Sequence, residues 1–374
     1  MSPETSFQHV TDPCRQSSAS EADERAVAPD KDLARRTARV RAKRRQMLAF
    51  ALLPTPLILA VLATIAVIVV RQAAEQRDAV QRVAAANGEV LYDYQVQAWG
   101  PGYRIDFGAD PLIPSFARRW IDVECLHDAV FVSFQTNGPS EIASDSLARL
   151  TQLRWLLAAR TSANDADLAR LTSLRHLQLL DLEATNVTDG GLACVARMHG
   201  LRSLNLARTA ITDAGCRHLK QLTRLRVLQL GGTSVTDAGI AHLAGLTQLA
   251  TLDLSETRVT DAALENLRNM PNLSVLALSG ARVKDDGLRH LSHLTSLEKL
   301  FLDCPGVTDA GVEHLRPLRN LTDLTLHGTQ ISDESLDVIQ GMTRLYSLSL
   351  SRTKVSDAGL ARFRRSVNLG NITR

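Results

Sequence analysis

Aromatic residues are scarce in this chain. Phe, Trp and Tyr make up 4% of its 374 residues, although hydrophobic residues reach 45%. A chain of this length can bury a large core, so that core has to be built from aliphatic side chains, leucine above all. Cysteine is scarce as well. Cys14, Cys125, Cys194, Cys216 and Cys304 contain no C-x-x-C pair, which removes the common zinc and dithiol signatures and leaves unpaired small hydrophobes, with Cys216 in a core leucine position. Also missing are a phosphate-binding glycine loop, a G-x-S-x-G turn and a His-Glu zinc helix. Their absence points away from an enzyme and from any bound cofactor. The net charge is only +3, and residues 1–47 carry the excess with 10 Lys or Arg against 7 Asp or Glu, leaving 33 of each sign beyond them. That balance argues against a nucleic-acid partner, which would call for a basic face.

Charge is wholly absent from Gln46 to Val70. The run is long enough to cross a bilayer, and it begins later and extends further than the apolar part of a secretory signal. We read it as an uncleaved transmembrane helix, with Leu48 to Val70 in contact with lipid. Seven Lys or Arg lie in "RRTARVRAKRR" (Arg35 to Arg45), just before the span, whereas Arg71, Arg77 and Arg82 beyond it are mixed with Glu75 and Asp78. The positive-inside bias then places the N-terminus in the cytoplasm and the rest outside it. Residues 1–45, rich in Ser, Glu, Asp and Ala, read as a disordered basic tail. Residues 71–125 read as a short juxtamembrane helix stopped by Gly88, a strand in "EVLYDYQVQ", a turn-rich linker and an N-terminal cap. Most aromatics gather there and just beyond, from Tyr92 to Phe134, as expected of a cover for the open end of a repeat array.

Residues 126–374 are periodic. Asp165, Asp189, Asp213, Asp237, Asp261, Asp285, Asp309, Asp333 and Asp357 follow one another at steps of 24 residues. A fixed period of that length signals a solenoid in which each unit buries its apolar side against its neighbours. In "LRVLQL" (Leu225 to Leu230), Leu228 and Leu230 share one side of a short strand, with Val227 and Gln229 opposite. Thr233 takes a tight turn, where its hydroxyl can bond backbone groups left open by the bend. "VTDAGIAHL" then restarts a helix, with the aspartate expected to satisfy free N–H groups and complement the helix dipole. The nine aspartates spread along an edge and do not converge on a pocket, so they are read as structural.

The pattern L-x-x-L-x-x-L-x-L-x-x-T-x-[IV]-[TS]-D-x-G-L resembles the leucine-rich-repeat family, in particular the subclass of ubiquitin-ligase adaptors and many bacterial repeat proteins. The resemblance runs from about Leu126 to Arg374. It implies an α/β solenoid with a parallel concave sheet and convex helices, here preceded by one transmembrane helix, and it implies binding of a protein or ligand. Departures from the pattern are informative. The threonine position holds Ala281 and then Pro305, Glu141 stands where the first aspartate would be, and "VNLGNITR" opens a further strand.

By register, the outward strand positions form columns of mostly small or polar residues. Phe301 with Lys299, Asp303, Asp323 and His327 is the exception, a mixed aromatic and charged group beside the broken threonine column, of the kind that anchors interfaces. His218, His242, His290 and His314 each follow an aspartate by five residues and read as a solvated stripe on the outer helices; no carboxylate or cysteine completes a metal set with them. The chain is therefore expected to be a single-pass membrane protein that binds a protein or envelope polymer through its concave face. The alternative is an intracellular adaptor recruiting a substrate protein to a degradation or signalling complex.

Overall fold

The computed structural model describes residues 55–95, 128–134, 142–367 and 370–374. The tail, the basic run, the start of the apolar span, Glu141 and the aromatics Trp99, Tyr103, Phe107, Phe116 and Trp120 lie outside the described residues. The chain divides into two units, Met1–Ile68 and Val69–Arg374.

Thr55–Ala85 is one helix of 31 residues. Its apolar side chains from Leu59 to Ile68 are exposed, and the stretch Leu59–Ala85 is long and apolar enough to cross a membrane. The short helix expected after the span is the end of this longer one, because nothing between Val70 and Arg71 breaks helical propensity. Within the second unit, Ala79 and Val83 on this helix are fully buried in the core, and Asp78 pairs with Arg82 at 3.0 Å and Arg149 at 3.6 Å. Asn87, at φ 60°, takes the left-handed position after the helix. Gly88 is needed for a different reason: a Cβ there would collide with the Val83 side chain and carbonyl as the chain turns into the first strand.

Among the described residues twelve strands form one sheet in sequence order. β1 (Gly88–Tyr92) pairs antiparallel with β2 (Ala129–Phe134). β3 (Trp155–Leu157), β4 (Leu179–Asp181), β5 (Ser203–Asn205), β6 (Val227–Gln229) and β7 (Thr251–Asp253) then follow in parallel. So do β8 (Val275–Ala277), β9 (Lys299–Phe301), β10 (Asp323–Thr325), β11 (Ser347–Ser349) and β12 (Asn371–Thr373). Each pairing is offset by one repeat, so Leu156, Leu180, Leu204 and Leu228 stack behind the sheet. In β3–β11 the middle residue is buried and, Trp155 of β3 apart, its neighbours are more exposed, as the alternation predicts. One continuous aliphatic core results, running from Ala79 to Phe363 and including Cys216. Burial, with the nearby Asp213 and Asp189 charges, pushes the Cys216 thiol up to about 12, so it stays a neutral core side chain.

The recurrent Thr-Asp pair does more than start a helix. Thr236 is the N-cap of the helix Asp237–Ala241, and its hydroxyl accepts a bond from Ala238 N–H. The aspartate reaches into the next repeat. Asp213 accepts the Thr236 N–H at 2.7 Å on one oxygen and the Thr236 hydroxyl at 2.6 Å on the other. The same two-oxygen clasp joins Asp189 to Thr212, Asp237 to Thr260, Asp285 to Thr308, Asp309 to Ser332 and Asp333 to Ser356. At Lys284 no hydroxyl is present and only the N–H bond to Asp261 forms, at 2.7 Å. A Cβ on Gly239 of Asp-x-Gly would meet the Asp213 carboxylate, whereas in the repeat with Ala263 at this place Asp237 still clasps Thr260 through both oxygens. Ser335 occupies that place in its repeat and donates its own hydroxyl and N–H to Asp309.

Candidate binding surface

The concave face consists of the outward strand residues and the turns that follow them. Several polar residues of its central column have structural duties: Asp181, Asn205 and Asp253 accept the N–H of Glu183, Ala207 and Ser255 at 2.9–3.0 Å, ending each strand. Burial raises the Asp181 carboxyl above its ordinary value, and the Glu183 charge adds to this against bonds from Glu183 N–H and Asn205. Trp155, in an outward column at the first repeats, is buried at 4% exposure. Along the turn edge, Glu183, Arg208, Gln229, Asp253 and Glu256 line a cleft of 210 Å³.

The turns themselves repeat until one point. Thr161, Thr185, Thr209, Thr233, Thr257, Thr329 and Thr353 each donate a hydroxyl bond to the carbonyl three residues earlier, at 2.5–2.7 Å. The threonines therefore stack as a ladder whose rungs bond locally. Just before them, Arg160, Ala184, Arg208, Gly232, Glu256, Gly280, Gly328 and Arg352 all have φ between 53° and 74°. Cys304 is absent from this left-handed series. Its N–H turns back to Leu302 O at 2.8 Å, where Gly280 in the preceding repeat bonds across to Asp303 O at 3.0 Å.

Cys304 also compensates for the missing threonine. Leu278 O is the carbonyl that a hydroxyl at position 281 would cap, and Ala281 has none. The Cys304 thiol donates to it from the next repeat at 3.1 Å. Burial, then the Asp303 charge, holds this thiol at about 12, so it keeps its proton as a donor. Cys304→Ala is expected to cost about 1–2 kcal/mol through the lost bond and a small cavity. Adding Ala281→Thr, whose hydroxyl would take the geometry of Thr257 on Leu254, is expected to recover at least part of that loss in urea denaturation; a double variant less stable than Cys304→Ala contradicts the assignment.

Around this interruption three of the five sequence-derived residues are held by bonds, Lys299 and Asp323 to each other and Asp303 to Ser279. Lys299 and Asp323 are register partners on β9 and β10, and their charges lie 3.5 Å apart; Thr322 donates to the same Asp323 oxygen at 2.7 Å. Asp303 accepts the Ser279 hydroxyl at 2.8 Å on Oδ2, while its Oδ1 is buried and has no hydrogen-bond partner among the described residues. Phe301 and His327 are half-buried on the same stretch of face. Ser279, which precedes Asp303 by one 24-residue step in the same column, and Thr322 join the group only through these bonds. The helical histidines are placed separately: His242 and His314 are exposed C-cap residues, His218 lies inside the helix Asp213–Leu219, and His290 lies in the 3-10 segment Arg289–His293.

Twelve stacked strands, convex helices and a 24-residue unit define a solenoid repeat protein. Residues 152–368 match the model of the leucine-rich repeat region, and the chain belongs to that family. Among solved structures, it is similar to an internalin of Listeria monocytogenes at 25% identity and a TM-score of 0.50, covering 61% of this chain and 69% of that one. A second internalin of the same species, internalin C2, aligns at 28% identity and a TM-score of 0.43, over 56% of this chain and 83% of that one. Comparison with curated proteins gives no match.

Proposed function

We propose that this chain is a membrane-anchored, non-catalytic binding protein whose concave face captures a protein or an envelope polymer. In this reading residues 1–45 form a cytoplasmic tail, residues 46–70 the bilayer span, residues 71–125 the juxtamembrane helix, linker and cap, and residues 126–374 the extracytoplasmic repeat domain. The observation that carries the binding site is Asp303, whose Oδ1 is shielded from solvent yet lacks a donor, next to half-buried Phe301 and the Lys299–Asp323 pair. A buried acceptor without a donor costs free energy in the unbound protein. A turn of the Asp303 carboxylate on binding would bring this oxygen to a ligand N–H or O–H and relieve that cost, and Phe301 would supply an apolar contact beside it.

Membrane attachment rests on the apolar, exposed helix and on the basic run ahead of it. Protease access to a C-terminal tag, in cells whose outer layer is opened and whose inner membrane is intact, tests the orientation. Digestion of the tag is expected. Protection of a tag that is cleaved after lysis would instead place the repeats in the cytoplasm and favour the adaptor.

A further inference from the structure

The overall charge balance of the repeats conceals a strongly uneven distribution. Between Gly190 and Thr236 the chain has seven Lys or Arg and a single carboxylate, Asp213. Both oxygens of Asp213 are engaged by Thr236. Between Asp253 and Asp337 the balance reverses, with 14 Asp or Glu against 8 Lys or Arg.

Five arginines of the β3–β6 repeats, three of them from that basic stretch, collect at one edge. Arg154, Arg202 and Arg226 immediately precede β3, β5 and β6, and with Gln178 ahead of β4 they form one backbone-bonded series: Gln178 N–H donates to Arg154 O at 2.7 Å, Arg202 N–H to Gln178 O at 2.8 Å and Arg226 N–H to Arg202 O at 2.7 Å. These three side chains therefore stand in one column along the leading edge of the sheet, about 14 Å long at the spacing of adjacent strands. Arg175 and Arg224 lie in the same helix-to-strand turns. All five are exposed, and among the described residues none has a side-chain hydrogen bond or ion pair.

We propose that this arginine edge of β3–β6 is a docking surface for an acidic polypeptide segment, separate from the Phe301 group and independent of the reading given to that group. Five arginines, with exposed Lys220 at the start of the last turn, favour bidentate recognition of carboxylates over diffuse charge attraction. The residues next along the chain include half-buried Leu179 and Val227 on β4 and β6, so an acidic segment with interspersed apolar side chains finds both of its needs met. Among the described residues no exposed aromatic lies beside the arginines to stack a nucleobase, and a bare phosphate polymer has nothing to place on Leu179 and Val227.

The test uses the purified full chain and a fluorescein-labelled peptide of alternating Glu and Leu, with anisotropy read at low and at physiological salt. Binding is expected, weakened at least about tenfold by Arg202→Gln with Arg226→Gln and unchanged by Arg344→Gln with Arg365→Gln, a control of equal charge change elsewhere. Thermal melts check folding; if the glutamine pair does not fold, Arg202→Lys with Arg226→Lys is expected to bind more weakly than the parent. Absence of peptide binding overturns the proposal. So does equal weakening by the control pair, full binding by the lysine pair, or capture of inorganic polyphosphate without capture of the peptide.

Discussion

Asp213→Ala is expected to destabilise the purified chain by about 2–3 kcal/mol, the scale for losing two hydrogen bonds to one charged acceptor. The Thr236 N–H and hydroxyl would both lose their partner at the boundary between two repeats. Stability in a solenoid is close to a sum of intrinsic repeat and neighbour terms, so weakening one boundary in the middle of the array lowers cooperativity as well as the midpoint. Asp261→Ala is the internal comparison. Its following repeat offers only the Lys284 N–H, and about half the cost is expected. Urea denaturation of both variants decides it; equal losses would show that the clasp to the threonine hydroxyl contributes nothing. The clasp also gives the sign of the pH dependence. Bonds from Ser356, with Arg362 and Arg374 nearby, hold Asp333 below its ordinary value of 3.8; at Asp309 burial acts upward, and the bonds from Ser335 and Ser332 outweigh it. Stability from these groups is complete above pH 3.8 and is lost as pH falls through their lowered values, so melting temperature should drop on that acid limb.

Phe301→Ala is expected to weaken partner binding by about 2 kcal/mol or more, roughly 30-fold, as truncation of an aromatic anchor does. Asp303→Ala separates binding from folding. It removes a carboxylate oxygen that is buried without a partner, at the loss of the Ser279 bond, so folding stability should change by less than about 1 kcal/mol while binding falls. Unchanged affinity in both variants would remove this group from the binding site. A parallel fall in stability and affinity for Asp303→Ala would make its role structural.

The repeat architecture was legible because leucine spacing reports burial directly: Leu228 and Leu230 lie inside and Val227 and Gln229 outside, as their alternation requires. The threonine turns and the strand in "VNLGNITR" were legible for the same reason, being local in sequence. The aspartate clasp was not. Thr236 and Asp237 are adjacent and look like the cap and first turn of one helix, whereas the partner that Asp237 holds is Thr260, 23 residues on. Nor did any local pattern mark the left-handed residues, since Arg160, Arg208 and Glu256 take a conformation that glycine signals elsewhere. Cys304 reads as a small core hydrophobe, which it is; its bond to Leu278 appears only once the repeats are stacked. The neighbouring columns of Phe301 and Asp303 followed from register alone, but the unpartnered Asp303 oxygen required the positions of every donor around it.

The measurement that bears most directly on the proposed function is site-specific photo-crosslinking in intact membranes, with a photoreactive phenylalanine analogue at position 301 and, as the control, at exposed Glu265 on the convex helix Asp261–Leu267. The account predicts a discrete adduct from position 301, lost when Asp303→Ala is added, and none from position 265. Adducts from position 265 alone, or the same adducts from both positions, would contradict binding through the concave face.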